Sequence, residues 1–420
     1  MHKRLIIILF ALVAGTTVYA GGPLTLKNCR DAARELSSSE ELYELSDEDL
    51  VERKNIVRES YLPVAAGYGT VFYQSDAPDP ASFTDLPFTM YPMPKLQFHI
   101  GVVASQTIYA GGSKKIRMRS AEVDTELEKQ KISTELTHGD SYVDDVFLSI
   151  LLLRKQKEVL SSQLELLQVK LDGAKDAYES GKAYRSDVLR LEAGVASLKA
   201  SIDGNAAETS SALSMLGTIT GLQIDEGTEL ELPDEGTINP AEDPALAILD
   251  LQEQKANLDY KLVVAKCLPK FGAFGVIGFG QWSLDFFSHD PNVYGIVGLN
   301  LSIPLTSWQN VFYARNLRDN ALRRIDLRRE EVNRSRGAAL EKYNGAIAKY
   351  DALLDGAGEA VEKYTALAEE MDRLSSGGEA SVTDYMDALS SLTSARLEVE
   401  KLTILRLREI LLRDQYITNL

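Results

Sequence analysis

Leu96-Gln97-Phe98-His99-Ile100-Gly101-Val102-Val103-Ala104-Ser105-Gln106-Thr107-Ile108 contains no Asp, Glu, Lys or Arg. Leu96, Phe98, Ile100, Val102 and Ala104 alternate with Gln97, His99, Gly101, Ser105 and Thr107, and Val103 alone is out of step. A period of two predicts a strand with one apolar and one polar face. Three more uncharged stretches, 61–75, 271–284 and 293–305, have the same character. In the last, Val297, Leu299, Leu301 and Ile303 alternate with Gly298, Asn300 and Ser302. Each is long enough for a tilted membrane strand, which needs about 9 to 11 residues. Ordinary soluble hairpins would show the same period, so the aromatic residues carry the distinction. Of 32 Phe, Tyr and Trp, 19 fall within 61–109 and 271–313, both Trp282 and Trp308 among them. Amphipathic rings concentrate where a barrel meets lipid headgroups, which favours membrane strands.

The four strands form two hairpins. The first closes through the Pro-rich loop from Asp76 to Lys95, with Pro78, Pro80, Pro87, Pro92 and Pro94, and the second through Asp285 to Asn292. Pro63 and Pro269 mark the switches from helix to strand, since proline stops a helix and tolerates the first strand position. Gly111-Gly112 ends the first hairpin. Four strands cannot close a membrane barrel, whose smallest form has about eight, so several chains must contribute to one barrel.

Outside the hairpins the chain is written twice as helix. Residues 113–178 and 307–374 lack proline and space apolar residues by three and four, as in Val143, Val146, Phe147, Ile150 and Leu151. At a rise of 1.5 Å per residue each reaches roughly 100 Å, too long for a globular core and suited to a coiled-coil wall. Each breaks at a similar point. The first reads Gly181-Lys182-Ala183-Tyr184-Arg185-Ser186-Asp187 and the second Gly378-Glu379-Ala380-Ser381-Val382-Thr383-Asp384. Shorter helices return over 184–220 and 381–417, and further helices over 26–61 and 241–267 lead into the strands. The segment from Leu222 to Pro244, rich in Asp, Glu and Pro, is expected to be a surface linker with a short strand at Glu229 to Leu232.

Domain limits follow: a signal peptide at 1–20, a first repeat at 21–221, an acidic linker in the equatorial region at 222–243, and a second repeat at 244–420. Within the first repeat lie a hairpin at 61–108, a long helix at 112–178, a tip at 179–186 and the return helix. The second has its hairpin at 270–305, long helix at 307–374 and tip at 375–383. Lys3 and Arg4, the apolar run from Leu5 to Ala14 and the ending Val18-Tyr19-Ala20 form the export signal. Ten apolar residues are too few to span a bilayer, which takes about 20.

Composition excludes several functions. A net charge of -17 argues against nucleic acid, because a phosphate binder needs a basic face. The Arg-rich tract from Arg315 to Arg336 is interleaved with Asp319, Asp326, Glu330 and Glu331 and reads as a solvated helix face. Cys29 and Cys267 are expected to be free, partly buried thiols. His99, His138 and His289 have no metal-ligand spacing, and His99 reads as a polar-face strand residue. No nucleophile elbow, P-loop or dinucleotide loop is present, so neither an enzyme nor a cofactor is expected.

In order and in duplicate, these features resemble a TolC-like outer-membrane efflux protein over nearly all of the chain after the signal. The resemblance is carried by Leu24-Thr25-Leu26-Lys27-Asn28-Cys29-Arg30-Asp31-Ala32-Ala33, the two Leu-Pro switches, Ser105-Gln106-Thr107-Ile108-Tyr109-Ala110-Gly111-Gly112, the repeat start Asn239-Pro240-Ala241 to Leu246, and both Gly-to-Asp tips. It implies an α+β membrane protein with internal structural duplication. Three chains would supply four strands each to a 12-stranded outer-membrane barrel, continued by a long periplasmic α-helical barrel. The implied function is the exit duct of a tripartite efflux or type I secretion system in a Gram-negative outer membrane. The implied partners are a homotrimer, outer-membrane lipid, a periplasmic adaptor protein docking at Gly181, Lys182, Gly378 and Glu379, and an inner-membrane pump of RND or ABC type. Asp384 and Asp387 match positions of an acidic ring at the pore mouth; Ser381 and Asp384 also fit a helix capping box. Asp187 matches a latch acid, although Arg190 at i+3 offers it a local ion pair. The family's latch Tyr and Arg positions hold Ser375 and Ala380, which leaves Arg373 as the candidate partner. The competing reading is an exported coiled-coil structural or adaptor protein without its own pore, which would not need uncharged aromatic strands.

Overall fold

The structure, a computed structural model, describes residues 23–76, 94–233, 244–281 and 290–417. The expected signal peptide, Pro78, Pro80, Pro87, Pro92, Trp282, most of the second hairpin loop with His289, and the repeat start Asn239-Pro240-Ala241 lie outside these residues. In chain order the elements are α1 (Leu26–Leu36), α2 (Ser39–Glu59), β1 (Val64–Tyr73), β2 (Leu96–Ala110), α3 (Ser113–Glu179), α4 (Arg185–Thr220), α5 (Pro244–Cys267), β3 (Lys270–Gln281), β4 (Asn292–Ser302), α6 (Trp308–Gly377) and α7 (Val382–Ile417). About 73% of the structure is helix. No helix among the described residues is long and apolar enough to cross a membrane.

The chain divides into two compact units. One comprises residues 1–43, 131–247 and 330–420, and its described part holds the apolar core. Phe147, Ile150 and Val143 of α3 are fully buried against Cys29 of α1, Leu213 and Leu216 of α4, and Leu407 and Leu411 of α7. Burying such side chains stabilises by about 1.5 to 3 kcal/mol each, which explains why period-four apolar spacing fixes this segment. Two bidentate pairs tie α1 to α3. Arg30 donates to both Asp144 oxygens at 2.7 and 2.5 Å, and Arg34 donates to both oxygens of Asp140. Burial outweighs the Arg30 bond and holds the Asp144 carboxyl above its ordinary range. Burial likewise pushes the Cys29 thiol up to about 12.

Two expectations are corrected here. The helix expected over 26–61 is broken at Ser37-Ser38, where Ser37 is extended and its hydroxyl donates to Arg34 O at 2.6 Å. Three consecutive serines compete locally for backbone partners and so end one helix and begin another. The expected strand at Glu229 to Leu232 is a single bridge between Leu230 and Leu24, with Leu24 N donating to Glu229 O at 2.7 Å. Nor is this segment wholly a surface linker, because Leu222, Ile224 and Leu230 pack against the core.

The second unit comprises residues 44–130 and 248–329. Its strands form one antiparallel sheet in the order β1-β2-β3-β4. Ion pairs join the helices of this unit. Lys255 of α5 bonds Asp124 of α3 at 2.7 Å, Lys54 of α2 bonds Glu122 at 2.7 Å, and Arg329 of α6 bonds Asp250 of α5 at 2.6 Å. Cys267 is buried, its thiol donating to Ser307 O at 3.3 Å, and both cysteines are free.

Candidate functional site

Register sorts the strand residues into two faces. Val71, Leu96, Ile100, Val102, Ile277, Phe279, Val293, Val297, Leu299 and Leu301 share one face and are all exposed, Val297 to 90%. A row of bare aliphatic side chains this large marks a surface made for a non-aqueous partner. The opposite face is mixed and the more polar of the two: Thr70, Gln97, His99, Ser105, Asn292 and Asn300 share it with Phe72, Val103, Phe274, Val276 and Ile296. Both outer strands, β1 and β4, pair on one side only among the described residues.

A single register row on the polar face reads Tyr68, Gly101, Gly278, Tyr294. The two rings lie over the two glycines, and their hydroxyls meet at 2.8 Å across the sheet. A Cβ on Gly278 would stand 2.5 Å from Tyr294 Cζ, while one on Gly101 would first meet the β3 backbone, 2.4 Å from Ile277 O, and then Tyr68 Cε1 at 3.1 Å. Glycine at 278 therefore lets Tyr294 lie flat against the sheet, and glycine at 101 lets β2 and β3 approach closely beneath Tyr68. His99 Nδ1 lies 3.5 Å from the Tyr294 hydroxyl, and the His99 ring stacks on Phe72 at 6.1 Å.

The two tips make the same turn. Gly181 and Gly378 have φ of 73° and 81°, a left-handed conformation that side chains resist. Lys182 N bonds Ala177 O at 2.7 Å with Gly181 N on Tyr178 O at 2.9 Å; Glu379 N bonds Leu374 O at 2.9 Å with Gly378 N on Ser375 O at 3.3 Å. Both are Schellman endings, and they leave Lys182 and Glu379 exposed.

The returning helices start differently. Ser381 and Asp384 close a full capping box, with Ser381 N and Oγ donating to Asp384 Oδ2 at 3.1 and 2.7 Å and Asp384 N donating to Ser381 Oγ at 3.1 Å. Bonds from the Ser381 hydroxyl and then its backbone hold the Asp384 carboxyl below its ordinary range. Asp387 is exposed one turn on. In the first tip the equivalent of Ser381 is Tyr184, which makes no side-chain cap, and Asp187 is half-buried. Arg190 donates to Thr383 Oγ1 of the other tip in place of the local ion pair with Asp187. Arg373 is held on its own helix, donating to both Glu370 oxygens at 3.0 and 2.5 Å. Asp187 and Arg373 are thus not brought together within the chain.

One tip residue was not anticipated. Lys170 of α3 donates to Asp372 Oδ1 at 2.7 Å and Ser376 Oγ at 3.0 Å on α6, and its Nζ sits 4.8 Å from the Tyr385 ring centre on α7. Burial, and then the Asp372 charge, raise the Tyr385 phenol above its usual range. Beneath the clamp Leu167, Leu171, Leu191 and Leu389 form a buried cluster. Among the described residues no group of three or more His, Cys, Asp or Glu could hold a metal ion.

No family model and no curated protein sequence matches the chain. Its fold is similar to that of the outer membrane protein VceC from Vibrio cholerae, with a TM-score of 0.66 and 12% identity over 94% of this chain and 95% of that one. It is also similar to the Campylobacter jejuni CmeC outer membrane channel, at 0.64 and 14% identity over 93% and 85%. The open state of the Neisseria gonorrhoeae MtrE outer membrane channel gives 0.60 and 16% identity over 94% and 88%. The chain has the fold of these outer membrane proteins.

Proposed function

We propose that the chain is an outer-membrane channel-tunnel, the exit duct of a tripartite efflux or type I secretion system. The observation that carries this reading is the four-stranded sheet with an exposed apolar face, a more polar opposite face and, among the described residues, two unpaired edges. An aliphatic outer face suits lipid, a polar inner face suits a water-filled lumen, and open edges suit strands from further copies. Three copies would give 12 strands and close the barrel, with the helices continuing as a periplasmic tunnel. The likeness of fold to outer membrane channels supports the same reading.

The tips would form the inner end of the duct. There Asp384 and Asp387 from three copies would gather six carboxylates and raise the local concentration of cations. Gly181, Lys182, Gly378 and Glu379, on exposed turns, would meet a periplasmic adaptor that couples the duct to an inner-membrane pump of RND or ABC type. The test is fractionation followed by gel migration with and without heating, and conductance in planar bilayers. A heat-sensitive trimer in the outer membrane that conducts ions is expected; a soluble periplasmic monomer would overturn the reading.

A further inference from the structure

The chain carries a net charge of -17, yet charge reverses where helices meet strands. The register sets the start of β1, the end of β2, the start of β3 and the end of β4 at one end of the sheet. The chain on the helical side of these four points, residues 54–63, 110–119, 261–270 and 303–318, contains 11 Lys and Arg and one acid, Glu59. Some of this charge is neutralised within the fold: Lys54 and Arg119 share Glu122, and Arg318 meets Asp319. The remainder is not. Lys115, Arg117, Lys261, Lys266, Lys270 and Arg315 are all exposed, and among the described residues none has a carboxylate partner.

Two further observations say what faces this collar. The exposed apolar face of the sheet ends in Leu301, and the chain that follows leaves Leu305, Trp308 and Phe312 exposed too, so bare apolar side chains and the cations occur together at this end of the sheet. At the end of β2 a groove of about 280 Å³ is lined by Tyr61, Tyr109, Gly112, Ser113 and Lys114. Tyr61 and Ser113 hydroxyls meet there at 2.6 Å, and Lys114 Nζ sits 5.3 Å from the Tyr61 ring centre. Aliphatic surface, then aromatic rings and hydroxyls, then uncompensated cations is the order of acyl chain, glycerol region and phosphate in a lipid leaflet.

We propose that this collar binds the headgroups of anionic phospholipid in the leaflet on the helical side of the membrane. The inference rests on the membrane reading of the sheet and adds a lipid preference to it. Lys115, Arg117 and Lys266 supply the long-range attraction, while the groove beside Lys114 receives a single headgroup. Because the charges are exposed, the attraction weakens with added salt.

The experiment uses the full-length protein inserted into phosphatidylcholine vesicles with and without phosphatidylglycerol, then extracted and assayed for retained lipid by mass spectrometry. Phosphatidylglycerol is expected to be retained several-fold over its share of the bilayer, and less so in high salt. The variant Lys114→Gln, Lys115→Gln, Arg117→Gln, Lys266→Gln should lose the enrichment while still conducting ions, and the matching Lys→Arg variant should keep it. Equal retention of both lipids by a conducting wild-type channel would overturn the collar and leave the channel reading intact. Failure to insert or conduct in either vesicle would overturn both.

Discussion

Lys170 Nζ lies 2.7 Å from Asp372 Oδ1, joining residues 202 positions apart in the sequence. The same ammonium stands over the Tyr385 ring, so α3, α6 and α7 meet at one charge. Lys170 is 15% exposed and Asp372 53%, which limits the ion pair by solvent screening. With the ring contact, Lys170→Met should cost about 1 kcal/mol. Amide exchange over the end of α6 and the start of α7 should quicken, while exchange around Phe147 stays unchanged. Unchanged exchange at the tip would mean the buried leucines hold it unaided.

The tip acids make a second prediction. Neutralising Asp384 and Asp387 together should reduce cation preference in single-channel recordings, and an unchanged preference would remove the acidic-mouth assignment. Ser381→Ala separates the two roles of Asp384, because it opens the cap and leaves the charge. Asp384 has a carboxyl pKa lowered in the folded state, so its capping contribution is complete above the unfolded value near 3.9 and fades as pH falls through the folded one. Protection at the start of α7, the exchange rate relative to the intrinsic rate at each pH, should therefore be flat from neutral pH down to mildly acid conditions in the wild type and lowered throughout in Ser381→Ala.

Gly278→Ala should act at the sheet. Its new Cβ would occupy the space of the Tyr294 ring, lifting the ring from the wall and breaking its bond to Tyr68. Single-channel conductance should drop as the ring enters the lumen. Adding Tyr294→Ala should restore it; failure of the second change to do so would locate the effect in the strand instead.

Cys29 should be inert. Its thiol, raised to about 12 by burial, stays protonated through the neutral and mildly alkaline range, and a thiol rather than a thiolate is a poor nucleophile. Alkylation at Cys29 in the folded protein should not rise between neutral pH and pH about 9, the range over which an ordinary thiol ionises. Denaturant should expose both cysteines to the reagent. Reaction at Cys29 in the folded protein would show that α1 detaches from the core.

What could be read in the sequence was whatever has a short period or a special backbone. Alternation in Leu96 to Ile108 announces two faces, and Gly181 and Gly378 announce left-handed turns, because each signal is local. Cross-strand rows are not local: Tyr68 over Gly101 depends on register, and nothing near Tyr68 states it. Lys170 looks like any lysine on a polar helix face until α6 is folded beside it. Arg190 was legible as a partner for Asp187 only because the sequence places them three apart, whereas space places it beside Thr383. The break at Ser37-Ser38 was hidden by helical composition on both sides, and the linker's core contacts by its acidic residues.

The sheet order has a consequence for assembly. One lateral edge of the subunit, β1, comes from the first half of the chain and the other, β4, from the second. In a closed circle of copies every seam would then be heterologous, β4 of one against β1 of the next, with no two-fold relation between neighbours. Since each copy brings an even number of alternating strands, the seam stays antiparallel however many copies join, and the strand count does not choose the copy number. That choice falls to how strongly each sheet bends, a property of the single subunit.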